Sequence, residues 1–336
     1  MTRIFSVSGT FMMTRTVTLS NLIFENGLVS GTMNENGGAI GATGFPFADL
    51  VIQDCTFRNN RVQCEGTSCQ ARGGAISAAG QLTIVRSTFE GNTTHCSVNN
   101  QQCFTRAGAV EHDSNSSLTI SNSTFANNQT SCEGTGDSSC TLEGGALHIS
   151  SSGSVMNNNT FADNTILCDA STCSLFGSTI YIDGTGPDTT NTIITNALGV
   201  VPPNCDGTLT DSGNNLQFPV NSCGGTIPTE DADPEPLADN GGITETMAIT
   251  EESPAFNEGN NGTCEDTDQR GVSRPQEGTC DIGAYELIPD DEPPAPPAPS
   301  EPVVIVPTMG QWGMIILAVF SILISITALR NRNENT

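Results

Sequence analysis

The chain alternates apolar and polar positions in short bursts, L-T-I-V-R-S-T-F at 82–89 and L-T-I-S-N-S-T-F at 118–125. Alternation with period two predicts short strands with one buried face. Upstream of the bursts stand small apolar runs opened by glycine: GGAI at 37–40 and 73–76, AGAV at 107–110 and GGAL at 144–147. Downstream, a Thr-Phe pair is followed at fixed distance by Asn, in TFRNN, TFEGN, TFANN and TFADN. Each period thus predicts a strand at the glycine run, a turn, a second strand ending at Phe, a polar turn and a loop. No helix is predicted before the C-terminus.

Phe24, Phe57, Phe89, Phe125 and Phe161 are spaced by 33, 32, 36 and 36 residues, a period that belongs to repeat architectures. A propeller blade needs about four strands and aromatic signatures. Here two or three strands per period are visible, and aromatics are 5% of the chain. The expected fold is all-β, a right-handed parallel β-helix or solenoid, with one coil per period and coils about 4.8 Å apart. Residues 1–287 accommodate roughly seven or eight such coils. The five Phe then form an internal aromatic ladder, and Asn60, Asn92, Asn128 and Asn164 an amide ladder that closes a turn. The glycine pairs supply bends and close backbone approach. The first coil departs from the pattern: Phe24 is followed by Glu25, Asn26 and Gly27, so its ladder Asn is displaced or absent.

Of thirteen cysteines, twelve form short-range pairs: Cys64 with Cys69, Cys96 with Cys103, Cys132 with Cys140, Cys168 with Cys173, Cys205 with Cys223, and Cys264 with Cys280. The first four pairs sit in the loop after T-F-x-x-N, one per coil. Disulfides are expected, because zinc knuckles want C-x₂-C spacing or His partners. Such density implies an oxidising compartment outside the cytoplasm. Cys55 stands where other coils carry Ser87, Ser123 and Asn159, and is expected to be a free buried thiol.

Beyond residue 190 the pattern changes. The coils are assigned to 1–190, and 191–287 to the last coils and a cap, since a solenoid must hide its open end. Arg270 and Arg274 beside Asp266, Asp268, Asp281 and Glu286 are the expected ion-pair set locking the cap, with an active site as the alternative. Residues 288–305 form a Pro-rich acidic linker, semi-rigid, spanning on the order of 45 Å. In 306–336, the uncharged run 313–329 is long enough for one transmembrane helix. Arg330 and Arg332 place its end in the cytoplasm. The N-terminus has no charged region, apolar core and cleavage site in order. The expectation is that a signal peptide and further coils lie upstream of this start.

Three resemblances follow from these residues. The GGAI and F-x-x-N repeats over 37–164 resemble those of chlamydial polymorphic outer-membrane proteins, which implies a surface-exposed β-helix used in adhesion. NTIITNALGVVPPNCDG, DPEPLADNGGITETMAI and DQRGVSRPQEGTCDIGAYE look like the C-terminal region of the bacterial choice-of-anchor Q family. The DPEP stretch departs from the more hydrophobic run expected there. The tail, with Val306, Pro307, Thr308 and Met309, then Trp312 and Gly313, is similar to the IPTL-CTERM sorting signal of Gram-negative bacteria. It implies an exosortase-type peptidase as partner and an inner-membrane-anchored precursor of an exported, cell-surface protein; a plain membrane anchor is the alternative.

Net charge −26, from 37 acidic and 11 basic residues, argues against nucleic acid as a partner. No cofactor is implied. No catalytic cluster is expected: Glu111 and His148, neighbours one rung apart on the outer face with 111–113 adding charge, are the best candidates, and they are expected to be a solvated pair. The expected function is a non-enzymatic surface protein, a disulfide-stapled β-helix displaying loops for adhesion or for a polysaccharide or host-matrix ligand. A secreted polysaccharide lyase or glycoside hydrolase on the same scaffold is the alternative. Loops as small and mutually similar as QCEGTSC and LCDASTC favour display over catalysis.

Overall fold

The computed structural model describes residues 3–8, 16–44, 48–66, 68–113, 116–199, 202–289 and 304–305. The sorting motif from Val306 to Gly313 and the apolar run 313–329 lie outside them. Among the described residues the chain is all-β and contains no helix. It is a parallel solenoid of five coils with five strands each, followed by two shorter coils with three. One coil shows the plan: Ile76–Ala78, Leu82–Val85 and Thr88–Glu90 wrap a core, then Thr93–Asn99 runs out and Gln102–Arg106 returns.

The first three strands of each coil enclose the main core, which is built from the inward positions of the alternating bursts. Register is kept residue for residue: Leu50, Leu82 and Leu118 pair in one column, and Thr56, Thr88, Thr124 and Thr160 in another. The five Phe stack in the core with ring centroids 4.6–4.8 Å apart. Stacked aromatic pairs are worth about 0.5–1.5 kcal/mol beyond the area they bury.

The segment expected to be a loop is a second lobe. Its outgoing and returning strands form two five-stranded parallel sheets around a core of their own. Four disulfides run up its centre, Cys64–Cys69, Cys96–Cys103, Cys132–Cys140 and Cys168–Cys173, with cysteines of successive coils in register. The remaining pairs, Cys205–Cys223 and Cys264–Cys280, are bonded as well, and Cys55 is buried and free.

The two lobes meet at a narrow neck. Asn60, Asn92, Asn128 and Asn164 stand there, each Oδ1 accepting from the amide of the coil before: Asn92 from Asn60 at 2.9 Å, Asn128 from Asn92 at 3.0 Å, Asn164 from Asn128 at 3.0 Å. Gly27 holds the corresponding position in the first coil, where its N–H donates to Asn60. The returning chain crosses the neck on the second residue of each glycine-containing step, Gly38, Gly74, Gly108 and Gly145, and at the last crossing Ser178. A Cβ on Gly74 would lie 2.0 Å from the Gly108 carbonyl and 2.6 Å from that of Thr93, so no side chain fits. The first glycine takes positive φ, +57° at Gly73, a conformation natural to glycine.

After the last coil the chain turns back. Glu245 pairs with Arg58, Gln269 bonds Thr88 and Thr124, and Ala284 N–H donates to Thr160, so this arm lies along the outer face of the Thr-Phe sheet. Met247 packs there on Ala126 and Ala162. Arg270 pairs with Asp268 at 2.7 Å and Arg274 with Glu286 at 2.8 Å, both buried, and Arg270 lies over the Tyr285 ring. Asp281 accepts from two backbone amides, of Asn257 and Leu287, rather than from a guanidinium, and Asp266 contributes only its carbonyl, which accepts from Arg274 N–H. These bonds bind the arm's turns to one another, which is a structural use of the set. A short strand, Val304–Ile305, pairs in parallel with Leu22–Glu25 of the first coil.

Two predictions follow. Phe89→Ala lowers stability by about 3–5 kcal/mol, and Asn92→Ala, which strands the Asn60 N–H and the Phe57 carbonyl, by about 1–3 kcal/mol for each group left unpaired; urea midpoints read both. In the arm, burial pushes Asp281 up to about 6 from 3.8. A carboxyl whose folded pKa is raised binds its proton more tightly when folded. Its contribution is full below the ordinary value and lost as pH rises through about 6. Hydrogen exchange of arm amides, corrected for intrinsic rates, therefore shows stronger protection at pH 4.5 than at pH 7.

Candidate functional site

The neck has a second consequence. Where the returning sheet ends and the glycine strand begins, two surfaces meet at a re-entrant corner between the lobes. Two columns of side chains face each other there. The last residue of each returning strand supplies the first: Arg72, Arg106, Glu143 and Phe176, adjacent in register. The outward position of the glycine strand supplies the second: Ser77, Glu111, His148 and Tyr181, likewise in register. Asp113 and Ser150 close the outer side.

Glu111 and His148 are neighbours one rung apart, and they are buried rather than solvated, at 2% and 1% exposure. The Ser77 hydroxyl donates to Glu111 Oε2, and its Oε1 lies 3.8 Å from Arg72, beyond hydrogen-bond reach. His148 Nε2 faces Glu143 at 3.2 Å, while its Nδ1 is buried with no hydrogen-bond partner. Arg106 donates to Glu143 at 2.8 Å and reaches Asp113 at 3.4 Å. The His148 ring stacks on Tyr181, centroids 5.0 Å apart, and Phe176 flanks Tyr181 at 6.0 Å. Buried polar atoms are nearly always paired; here Glu111 Oε1 and His148 Nδ1 have no partner and His148 Nε2 has only its approach to Glu143, while in the arm Arg274 Nε is likewise unpaired.

The electrostatics are mixed. Burial opposes ionisation of Glu143, but the hydrogen bond from His148 and the charge of Arg106 hold its pKa below the ordinary value. Asp113 is held low in the same way, against burial, by Ser150, Arg106, His148 and Arg72. Tyr181 is raised by burial and by the nearby carboxylates of Glu143, Asp183 and Asp206.

His112 is a correction to the expectation that 111–113 adds charge as a unit. It takes the inward position of the same strand, with Nε2 2.8 Å from the Gly80 carbonyl and Nδ1 3.1 Å from Ser151. Burial lowers its pKa. Period-two alternation sends 111 and 113 one way and 112 the other.

The sequence pattern did not single out Arg72, Arg106, Glu143, Phe176 or Tyr181. The available signal was the residue immediately before each glycine-containing step, in ARGG, TRAG, LEGG and LFGS. A second polar ladder was also missed: the backbone amides of Cys55, Ser87 and Ser123 donate to Ser87, Ser123 and Asn159 of the next coil. Elsewhere, the outgoing sheet carries a shallow groove lined by Arg61, His95, Ser131, Leu167 and Asp169.

No protein-family model, no curated protein and no solved structure matches the chain. Among the described residues, no helix is long and apolar enough to cross a membrane.

Arg106→Gln removes the cation between two carboxylates. Groups with depressed pKa stabilise the fold above their ordinary values, 3.8 for Asp113 and 4.5 for Glu143, and lose that contribution as pH falls. The stability deficit of Arg106→Gln against wild type is thus largest near pH 7 and shrinks by pH 3, read as the difference in urea midpoint at each pH.

Proposed function

We propose that this is a non-enzymatic exported protein, a β-solenoid that holds a disulfide-stapled lobe away from the cell for adhesion or for binding extracellular matrix or polysaccharide. The observation that carries it is the column of four disulfides at the centre of the second lobe. Short bridges of this kind stabilise by about 2 kcal/mol each on a chain-entropy estimate. The lobe's core is otherwise small, with Val62, Ala71, Val98 and Leu142 among its few aliphatic side chains. Such a lobe depends on oxidised cysteines, which persist outside the cytoplasm. The tail supports the same route: in this proposal 306–336 is a sorting signal read by an exosortase-type peptidase, and 313–329 holds the precursor in the inner membrane. The choice-of-anchor Q resemblance over 191–286 fits a surface protein. Within that stretch we assign the capping of the solenoid's end to the last short coils, where Cys205, Leu209, Cys223 and Ile227 join the main core.

A second proposal, a polysaccharide lyase or glycoside hydrolase, draws on the buried Glu111–His148 pair, since general acid–base work uses a carboxyl and an imidazole within reach of one substrate. It requires that the protein release new reducing ends or unsaturated products from a polysaccharide.

The deciding experiment is intact mass and disulfide mapping of the protein recovered from its native host. Six intact bridges and a tail cut between 306 and 313 are expected. Free thiols with an uncut tail overturn the export and sorting proposal.

A further inference from the structure

We infer that the re-entrant corner is a saccharide-binding subsite, and that it takes uncharged sugar rings rather than uronates or amino sugars. This rests on the proposal that the chain is an exported surface module, and it names the ligand class and the place.

The floor is polar and incompletely paired: Glu111 Oε1 and His148 Nδ1 are buried without hydrogen-bond partners. The rim is accessible. Side-chain exposure is 33% for Arg72, 26% for Arg106 and 45% for Asp113, and Phe176 and Tyr181 are half-buried. Among the described residues no group of three or more His, Cys, Asp or Glu is placed to hold a metal ion. A ligand here meets the side chains of the rim with its own donors and acceptors.

Charge narrows its class. The guanidiniums of Arg72 and Arg106 already face the carboxylates of Glu111, Asp113 and Glu143, so the corner offers a charged ligand no unmatched guanidinium. A hydroxyl both donates and accepts, so a polyhydroxyl ligand meets carboxylate and guanidinium alike without net charge. The aromatic pair supplies the rest. Tyr181, one of two tyrosines in the chain, offers a ring flanked by Phe176 and stacked on His148. An apolar face with polar groups at its edge suits a sugar ring, which presents C–H bonds on its face and hydroxyls around its rim.

The corner also changes along the solenoid axis. At the first coil Arg3 fills it, donating to the Gly37 and Asn36 carbonyls and lying over Gly41. The open, aromatic end is at the fourth to sixth coils, where Glu111, His148 and Tyr181 succeed one another. That places the subsite at one end of the corner.

The test is a glycan array bearing neutral, uronate-containing and free-amino glycans, probed with the full chain in its oxidised form. Neutral glycans are expected to bind. Tyr181→Ala and Glu143→Gln should each weaken the best of them at least about tenfold, and Tyr181→Phe should retain it. Far-ultraviolet circular dichroism and a disulfide map show that each variant is folded. A preference for uronates or amino glycans, binding that survives Tyr181→Ala, or no glycan bound at all overturns the inference. Each of those outcomes leaves the export proposal standing if the six disulfides are present in the native protein.

Discussion

The whole molecule depends on a narrow crossing. Each coil leaves the main core and returns to it through one neck, where two backbones pass close to each other. In the coils that carry the second lobe on both sides, the returning chain crosses on glycine because the next carbonyl occupies the place of a Cβ, as at Gly74, while the last return crosses on Ser178. The outgoing chain turns on an Asn whose side chain serves backbone groups that the turn leaves unpaired. A buried backbone donor or acceptor without a partner costs about 1–3 kcal/mol. The glycine pair and the ladder Asn are thus two answers to one steric and hydrogen-bonding problem, which is why they recur together in each period.

Because the neck is narrow, two bodies of different chemistry share one chain. The main core is aliphatic and aromatic, with the stacked Phe at its centre. The second lobe is thin, polar outside, and cross-linked through its middle. Their junction brings the end of one sheet beside the start of another, and the polar columns meet there. The arm covers the outer face of the Thr-Phe sheet, so that surface is not free for a ligand, whereas the corner stays open at its rim.

Much of this was legible in the chain. Phe and Asn positions recur at a fixed period, and ladders follow directly from parallel stacking. The disulfide pairing was legible from spacing alone. The lobe's strands were not: in R-V-Q-C-E the alternation is real, with Val62 and Cys64 buried, yet cysteine invites a cross-linking interpretation before a packing one. The corner was only half visible. Glu111 and His148 stood out by their charge on a strand, but Arg72 and Arg106 meet them only because the neck folds the end of one strand beside the start of the next. The arm's path along the flank rests on single polar contacts, such as Gln269 with Thr88, that no periodicity announces.

The amide ladder has a direction. Asn92 serves Asn60 and the Phe57 carbonyl, Asn128 serves Asn92 and the Phe89 carbonyl, and Asn60 serves Gly27 and the Phe24 carbonyl. The Ser87 and Ser123 side chains serve the coil before them in the same sense. A coil's turn is thus completed mainly by its successor, with Asn128 and Asn164 also bonding the carbonyls of Ala126 and Ala162 in their own coils. For a chain emerging amino end first, closure lags emergence by one full turn. Threading through a narrow exit would then feed the solenoid in the order in which its turns can be sealed.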